Sequence, residues 1–131
     1  MKYVTPLGRL LFAGIFLAAA PGHFKAGTIA YAASQGVPLA SVAVPLSGIL
    51  ALLGALSVAL GYKARWGAWL LVAFLAPVTV MMHRFWGLSD PQAAMMQQIM
   101  FMKNVSMLGG ALLVATFGAG PVSIDERRSG R

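Results

Sequence analysis

The sequence predicts an all-α membrane protein, in which four transmembrane helices form an up-down-up-down bundle with a short interfacial helix after the first span. The 131-residue chain is 59% hydrophobic and only 10% charged, with a mean hydropathy of +0.77. An ordinary soluble domain has about 25% charged residues, and a chain this small cannot bury so much apolar surface within itself. Its Lys and Arg residues are dispersed between four apolar stretches. These observations exclude a soluble globular domain, a disordered chain and a nucleic-acid-binding protein.

The first span is expected over residues 5–22, where Thr5 is a helix N-cap and Pro6 occupies the first helical position. A secretory signal peptide with small residues at 18 and 20 is the alternative, but Pro21 is a poor residue after a cleavage site. Residues 23–38 are less apolar and predict a short interfacial helix that ends at Gly36 and Pro38.

The other three spans are predicted at about 39–61, 66–86 and 91–117, followed by a polar tail, 118–131, whose end is expected to be loose. Prolines within the second and third spans should bend those helices. Small residues at near-helical spacing on the second span predict a close helix–helix contact, at Ser47, Ala51, Gly54, Ser57 and Gly61. The whole chain, 1–131, is therefore treated as one membrane domain.

The distribution of basic residues predicts the orientation of the chain in the membrane. With four spans, both termini and the loop between spans two and three share one side, which carries seven Lys and Arg residues. The other side carries only Lys25 and Arg84. Because cytoplasmic loops are enriched in Lys and Arg, both termini are predicted to be cytoplasmic. Arg9, His23 and Lys25 are interpreted as anchors at the membrane surface.

Lys103 is the most informative polar residue, because it lies within the fourth span. A cation at the bilayer centre costs about 2.5–3.5 kcal/mol on insertion scales, so the side chain should face the bundle or snorkel. Asn104 and Gln97 lie on a neighbouring face of the helix, and Ser106 shares the face of Lys103. We interpret these residues as part of a polar pocket in the outer half of the bundle, for an anionic or carbonyl-bearing molecule.

His83 completes the predicted ligand-binding set, with Thr79 on the same stripe of the third span. The histidine could bond a ligand oxygen or transfer a proton; the alternative is an interfacial histidine beside Arg84. No metal-ligand spacing, nucleophile–base pair or phosphate loop is recognisable. No metal site, no catalytic residue and no covalent cofactor are therefore predicted, and the chain is not expected to be a catalyst on its own.

Four segments resemble the DoxX family in their order and spacing: residues 22–25, 79–86, 101–110 and 118–125. This resemblance covers nearly the whole chain. It implies a multi-pass protein of the bacterial inner membrane. It also implies an accessory or non-catalytic subunit of an oxidoreductase system, with a membrane-associated redox protein as partner and a quinone as the candidate cofactor.

Three functions follow as hypotheses. In the first, Lys103, Asn104 and His83 bond the carbonyl oxygens of a quinone or similar molecule beside a redox partner. In the second, the chain is a structural or assembly partner whose small-residue faces dock another membrane protein or a second copy of itself. In the third, it is a small transporter, although four helices without internal carboxylates leave little room for coupled alternating access.

Overall fold

The predicted fold class is confirmed by the structure, a computed structural model that describes residues 1–130. The described chain folds into helices α1 (Val4–Ala19), α2 (Ala26–Ser34), α3 (Ala40–Leu60), α4 (Ala64–Met82), α5 (Pro91–Phe117) and α6 (Ile124–Arg128). Four segments are long and apolar enough to cross a membrane, namely Val4–Phe24, α3, α4 and α5. The chain is therefore a multi-pass membrane protein in contact with lipid.

The first span changes its helix type before it ends. Pro21 has no N–H to continue an α-helix, and the chain tightens into a 3₁₀ helix over Ala20–Phe24. Lys25 then adopts an extended conformation, which redirects the backbone into α2. The predicted interfacial helix is thus divided between this 3₁₀ segment and α2.

The third span needs a correction at its end. It was expected to reach Trp86, but α4 ends at Met82 and His83 has left the helical region of backbone space, at φ −123° and ψ 40°. The fourth span begins where expected, because the Asp90 carboxylate accepts hydrogen bonds from the N–H groups of Gln92 and Ala93, at 3.2 and 3.3 Å. Residues 83–90 form the connection.

The tightest helix–helix contact, between α3 and α4, is made by glycines. A Cβ atom added to Gly54 would lie 2.8 Å from the carbonyl oxygen of Gly67, and one added to Gly67 would lie 3.0 Å from that of Gly54. The small-residue face predicted on the second span is therefore confirmed at Gly54 and Ser57, whose side chain also meets Gly67. Close approach of this kind gives membrane helices the van der Waals contact that holds them together.

The polar tail packs against the bundle before its last residues. The Asp125 carboxylate accepts hydrogen bonds from the main-chain N–H groups of Lys63 (2.7 Å) and Ala64 (3.0 Å) at the start of α4. Gly61 accepts from the Asp125 N–H at 2.8 Å. A remote carboxylate thus supplies the N-terminal cap that the Lys63 side chain does not provide. The tail was expected to be loose at its very end, and the last residue there, Arg131, lies outside the described residues.

Arg9 belongs to the same cluster, and its interpretation as a surface anchor is wrong. Its side chain is only 6% exposed, and it donates hydrogen bonds to the carbonyls of Ala119, Pro121 and Val122. We call this end of the bundle, with Arg9, the α3–α4 turn and α6, the terminal end. The opposite end holds the 3₁₀ segment, α2 and residues 83–90.

Candidate ligand-binding site

A cavity of about 350 Å³ lies between the 3₁₀ segment, α2, α3 and α4. It is at the end of the bundle that holds α2 and residues 83–90. Small-molecule sites start at about this volume, and they are typically apolar with a few polar groups. Here the apolar wall includes Val44, Val78, Met81 and Met82, and the polar lining consists of His23, Thr28, Ser47 and His83. Both histidines of the chain therefore line one cavity.

His83 is held in place by a side chain from α5. Its Nδ1 lies 3.0 Å from Oε1 of Gln97, and the Gln97 amide nitrogen donates to the Tyr31 hydroxyl on α2 at 3.4 Å. An amide oxygen only accepts, so the proton of this hydrogen bond resides on Nδ1 of His83. In the neutral ring, Nε2 is then a hydrogen-bond acceptor.

His23 reaches the same protonation pattern by a different contact. Its Nδ1 lies 3.2 Å from the carbonyl oxygen of Ala19, which again only accepts. The ring packs edge-to-face on Phe74, with centroids 5.4 Å apart. A Cβ atom at Gly48 would lie 2.6 Å from the His23 Cβ, so glycine at this position of α3 allows the histidine to sit there.

Each of the two imidazoles has one ring nitrogen, Nε2, left for a hydrogen bond to a ligand. Among residues 1–130, no hydrogen bond engages the Nε2 atom of His23 or of His83. The Ser47 hydroxyl is occupied, because it donates to the carbonyl of Val44 at 2.6 Å. Neutral histidines in this arrangement offer two acceptor atoms to a ligand that brings its own N–H or O–H group.

A family model shows what kind of protein this chain is. Residues 37–130, from the start of α3 through α6, match the model of the SURF4 family. The chain belongs to the SURF4 family. The resemblance to the DoxX family is thereby corrected. The expected link to a quinone-dependent oxidoreductase was implied by that resemblance, and membership of the SURF4 family does not carry it.

Curated relatives agree with this assignment. The SURF4-family chain is 33% identical to the inner membrane protein YphA of Escherichia coli over 101 residues, which cover 77% of this chain and 71% of YphA. It is 31% identical to the inner membrane protein YqjF of Escherichia coli, over 96% of this chain and 95% of YqjF. These relatives and the four apolar helices support a multi-pass inner-membrane protein.

A more distant relative is eukaryotic. The chain is 29% identical to the ER-derived vesicles protein ERV29 of Saccharomyces cerevisiae over 80 residues, which cover 61% of this chain but only 26% of ERV29. No solved structure is significantly similar to this SURF4-family chain.

The structure brings together only some of the residues that were predicted from the sequence to bind a ligand. His83 and Gln97 are hydrogen-bonded. Asn104 and Thr79 are both 4% exposed, and the Thr79 hydroxyl donates within its own helix to the carbonyl of Leu75 at 2.6 Å. Asn104 lies seven residues after Gln97, on the same inward face of α5.

Lys103 and Ser106 lie apart from this group. Both are exposed on the outward side of α5, and neither lines the cavity. Since successive residues of a helix are separated by about 100°, the inward position of Asn104 directs its neighbour Lys103 away from the His83–Gln97 pair.

Sequence reasoning missed four residues of the site, His23, Thr28, Tyr31 and Ser47. His23 was interpreted as an anchor, yet it lines the cavity. One signal could have found it, because the chain has only two histidines and both follow apolar spans that end on the same side. Thr28, Tyr31 and Ser47 carry no motif, and only the packing of α2 on α3 reveals them.

Proposed function

We propose that this SURF4-family protein binds a small, largely apolar molecule in the cavity between α2, α3 and α4. The observation that carries the proposal is the pair of histidines in a largely apolar lining, each with its Nδ1 atom already hydrogen-bonded. The bound molecule carries a hydroxyl or N–H group, because both remaining ring nitrogens are acceptors in the neutral form. An apolar body suits a ligand that enters from the bilayer.

This proposal changes the chemistry expected from the sequence. A carbonyl-bearing or anionic ligand was expected because Lys103 was assigned to the pocket, but Lys103 is exposed outside it. With no lysine at the cavity, a carbonyl oxygen beside either histidine ring would face an acceptor, and the Thr28 hydroxyl would be the side-chain donor left to it in the lining. A quinone therefore suits the site less well than its reduced quinol form, which carries hydroxyl groups.

Two matched probe pairs test the proposal in detergent micelles by calorimetry. The first is 4-nonylphenol against its methyl ether, which differ only in the hydroxyl donor. The second is a decyl-substituted benzoquinol against the corresponding benzoquinone. A net hydrogen bond contributes about 0.5–1.5 kcal/mol, so we expect the donor-bearing member of each pair to bind about two- to twelve-fold more tightly.

Variants connect the preference to the site. His83→Phe keeps an aromatic ring but removes the acceptor, and should abolish much of the preference for the phenol. Gln97→Leu should weaken the preference for the phenol, because Nδ1 of His83 loses the acceptor that keeps its proton there. Gln98→Leu, at the exposed neighbouring position, should leave the preference unchanged. Equal binding of phenol and ether to the unaltered protein, or an undiminished preference in both His83→Phe and His23→Phe, would refute the proposal.

A further inference from the structure

A second space, a groove of about 390 Å³, lies beside the cavity, between the end of α2 and the end of α4. Its lining residues are Ser34, Gln35, Gly36, Val80, Met81 and Arg84. Met81 also lines the cavity, so the two spaces adjoin each other. The cavity is largely apolar, whereas the groove brings a cation. A molecule with an apolar body in the cavity can therefore place a charged group in the groove.

Arg84 is held at this groove by a main-chain contact. Its Nη2 atom donates a hydrogen bond of 2.9 Å to the carbonyl oxygen of Gln35, which lies 49 positions earlier in the chain. A guanidinium has five N–H donors, and among residues 1–130 this is the one hydrogen bond that the Arg84 side chain makes. The arginine is thus oriented by α2 and keeps most of its donors for a ligand.

The acidic residues of the chain are engaged elsewhere. Asp90 lies in the same connection as Arg84, but both of its carboxylate oxygens accept hydrogen bonds from the start of α5. Asp125 and Glu126 belong to α6, at the terminal end of the bundle. The groove therefore presents a positive charge, which complements an anionic group.

Arg84 is also placed at the level of the lipid headgroups. It follows Met82, the last residue of α4, by two positions. Trp86, which is 51% exposed, follows Arg84 by two more. Tryptophan and arginine at the end of a span are typical of the membrane–water interface. Lipid phosphates lie at this level, and the fork of a guanidinium binds phosphate oxygens in pairs. The position and the chemistry of the groove thus favour a phosphate.

From these relationships we propose that the site binds a single-chain amphiphile with a phosphate group, of the monoacyl glycerophosphate class. The acyl chain occupies the cavity, whose volume is at the lower end of the range for small-molecule sites. A hydroxyl of the headgroup donates to a histidine Nε2 atom, and the phosphate accepts from Arg84. Because His83 and Arg84 are consecutive, one headgroup can reach both. This inference rests on the proposed function and names the class of its ligand.

A pair of ligands that differ only in the phosphate tests this inference. 1-Lauroylglycerol and its 3-phosphate are titrated by calorimetry into the protein in a neutral maltoside detergent. One basic residue near a membrane surface strengthens the binding of an anionic lipid about five-fold, so we expect the phosphate to bind about five-fold more tightly. Arg84→Gln should remove most of this difference, and Arg84→Lys, which keeps the charge, should retain part of it. Arg65→Gln, which removes an exposed cation at the terminal end, should leave the difference unchanged.

The phenol and ether probes separate this inference from the proposed function. Arg84→Gln should still prefer 4-nonylphenol to its methyl ether, which shows that the cavity is intact. If the unaltered protein prefers the phenol but binds lauroylglycerol and its phosphate equally, the phosphate assignment alone is overturned. It is also overturned if Arg65→Gln and Arg84→Gln reduce the phosphate preference equally, because the effect is then one of general charge. Displacement of lauroylglycerol phosphate by an equal concentration of inorganic phosphate would show a site for free phosphate instead.

Discussion

The guanidinium of Arg9 donates a hydrogen bond of 2.7 Å to the carbonyl oxygen of Val122, which joins residues 113 positions apart. The same side chain also donates to the carbonyls of Ala119 and Pro121. These carbonyls belong to a non-helical segment between α5 and α6, so they have no partners within a helix. A single arginine of the first span therefore holds the C-terminal segment against the bundle.

Arg9→Met should destabilise the protein by about 2–4 kcal/mol, because hydrogen bonds to charged groups contribute about 1.5–3 kcal/mol each and the tail carbonyls lose their donor. Thermal unfolding in detergent measures the effect. Arg127→Met, at an exposed position of α6, is the matched control and should change stability little. Similar losses for the two variants would show that Arg9 contributes only through its charge.

Asp125→Ala should lower stability by about 1–2 kcal/mol, since it leaves the N–H groups of Lys63 and Ala64 without their cap. Asp125→Asn keeps one accepting oxygen and should lose less. Glu126→Gln is a comparison, because only one of its carboxylate oxygens accepts a main-chain hydrogen bond. The three variants are compared by thermal unfolding and by protease protection of the tail, and an unaffected Asp125→Ala would contradict the capping role.

Gly67→Ala should destabilise the bundle by about 1–3 kcal/mol, because the new methyl group would lie 3.0 Å from the Gly54 carbonyl oxygen and would also meet the Ser57 side chain. Gly14→Ala is a matched control on α1, where a Cβ atom would meet nothing within 4 Å. It should be neutral or slightly stabilising, since alanine is the better helix former. Unfolding in graded denaturing detergent compares the two variants, and equal effects would contradict a tight α3–α4 contact.

The orientation predicted from the basic residues can be tested directly, because the chain contains no cysteine. Single cysteines at Lys2 and Ser89 lie on opposite sides of the predicted bundle. In intact cells, a membrane-impermeant maleimide should label Ser89→Cys and not Lys2→Cys. After permeabilisation both should react. Labelling of Lys2→Cys alone in intact cells would place the termini outside.

The fold class and the number of apolar spans follow from local sequence alone. Apolar runs of span length have few other structures available in a membrane, where each helix satisfies its own backbone hydrogen bonds. Local signals also set the start of α5, because Asp90 and Pro91 act within one turn. The glycine and serine pattern of α3 likewise predicted a close contact, because small side chains let a neighbouring helix approach closely.

Which polar residues meet depends on how the helices pack. Periodicity placed Lys103 and Asn104 side by side, but only the packing of α5 on α4 fixed Asn104 inward and Lys103 outward. His23 and His83 are 60 residues apart and share a cavity because the 3₁₀ segment folds back over Gly48. Arg9 and Val122 are hydrogen-bonded although they are 113 positions apart in the sequence. Such contacts depend on how helices rotate and pack against one another, and a hydropathy pattern that is apolar on nearly every face does not specify that rotation.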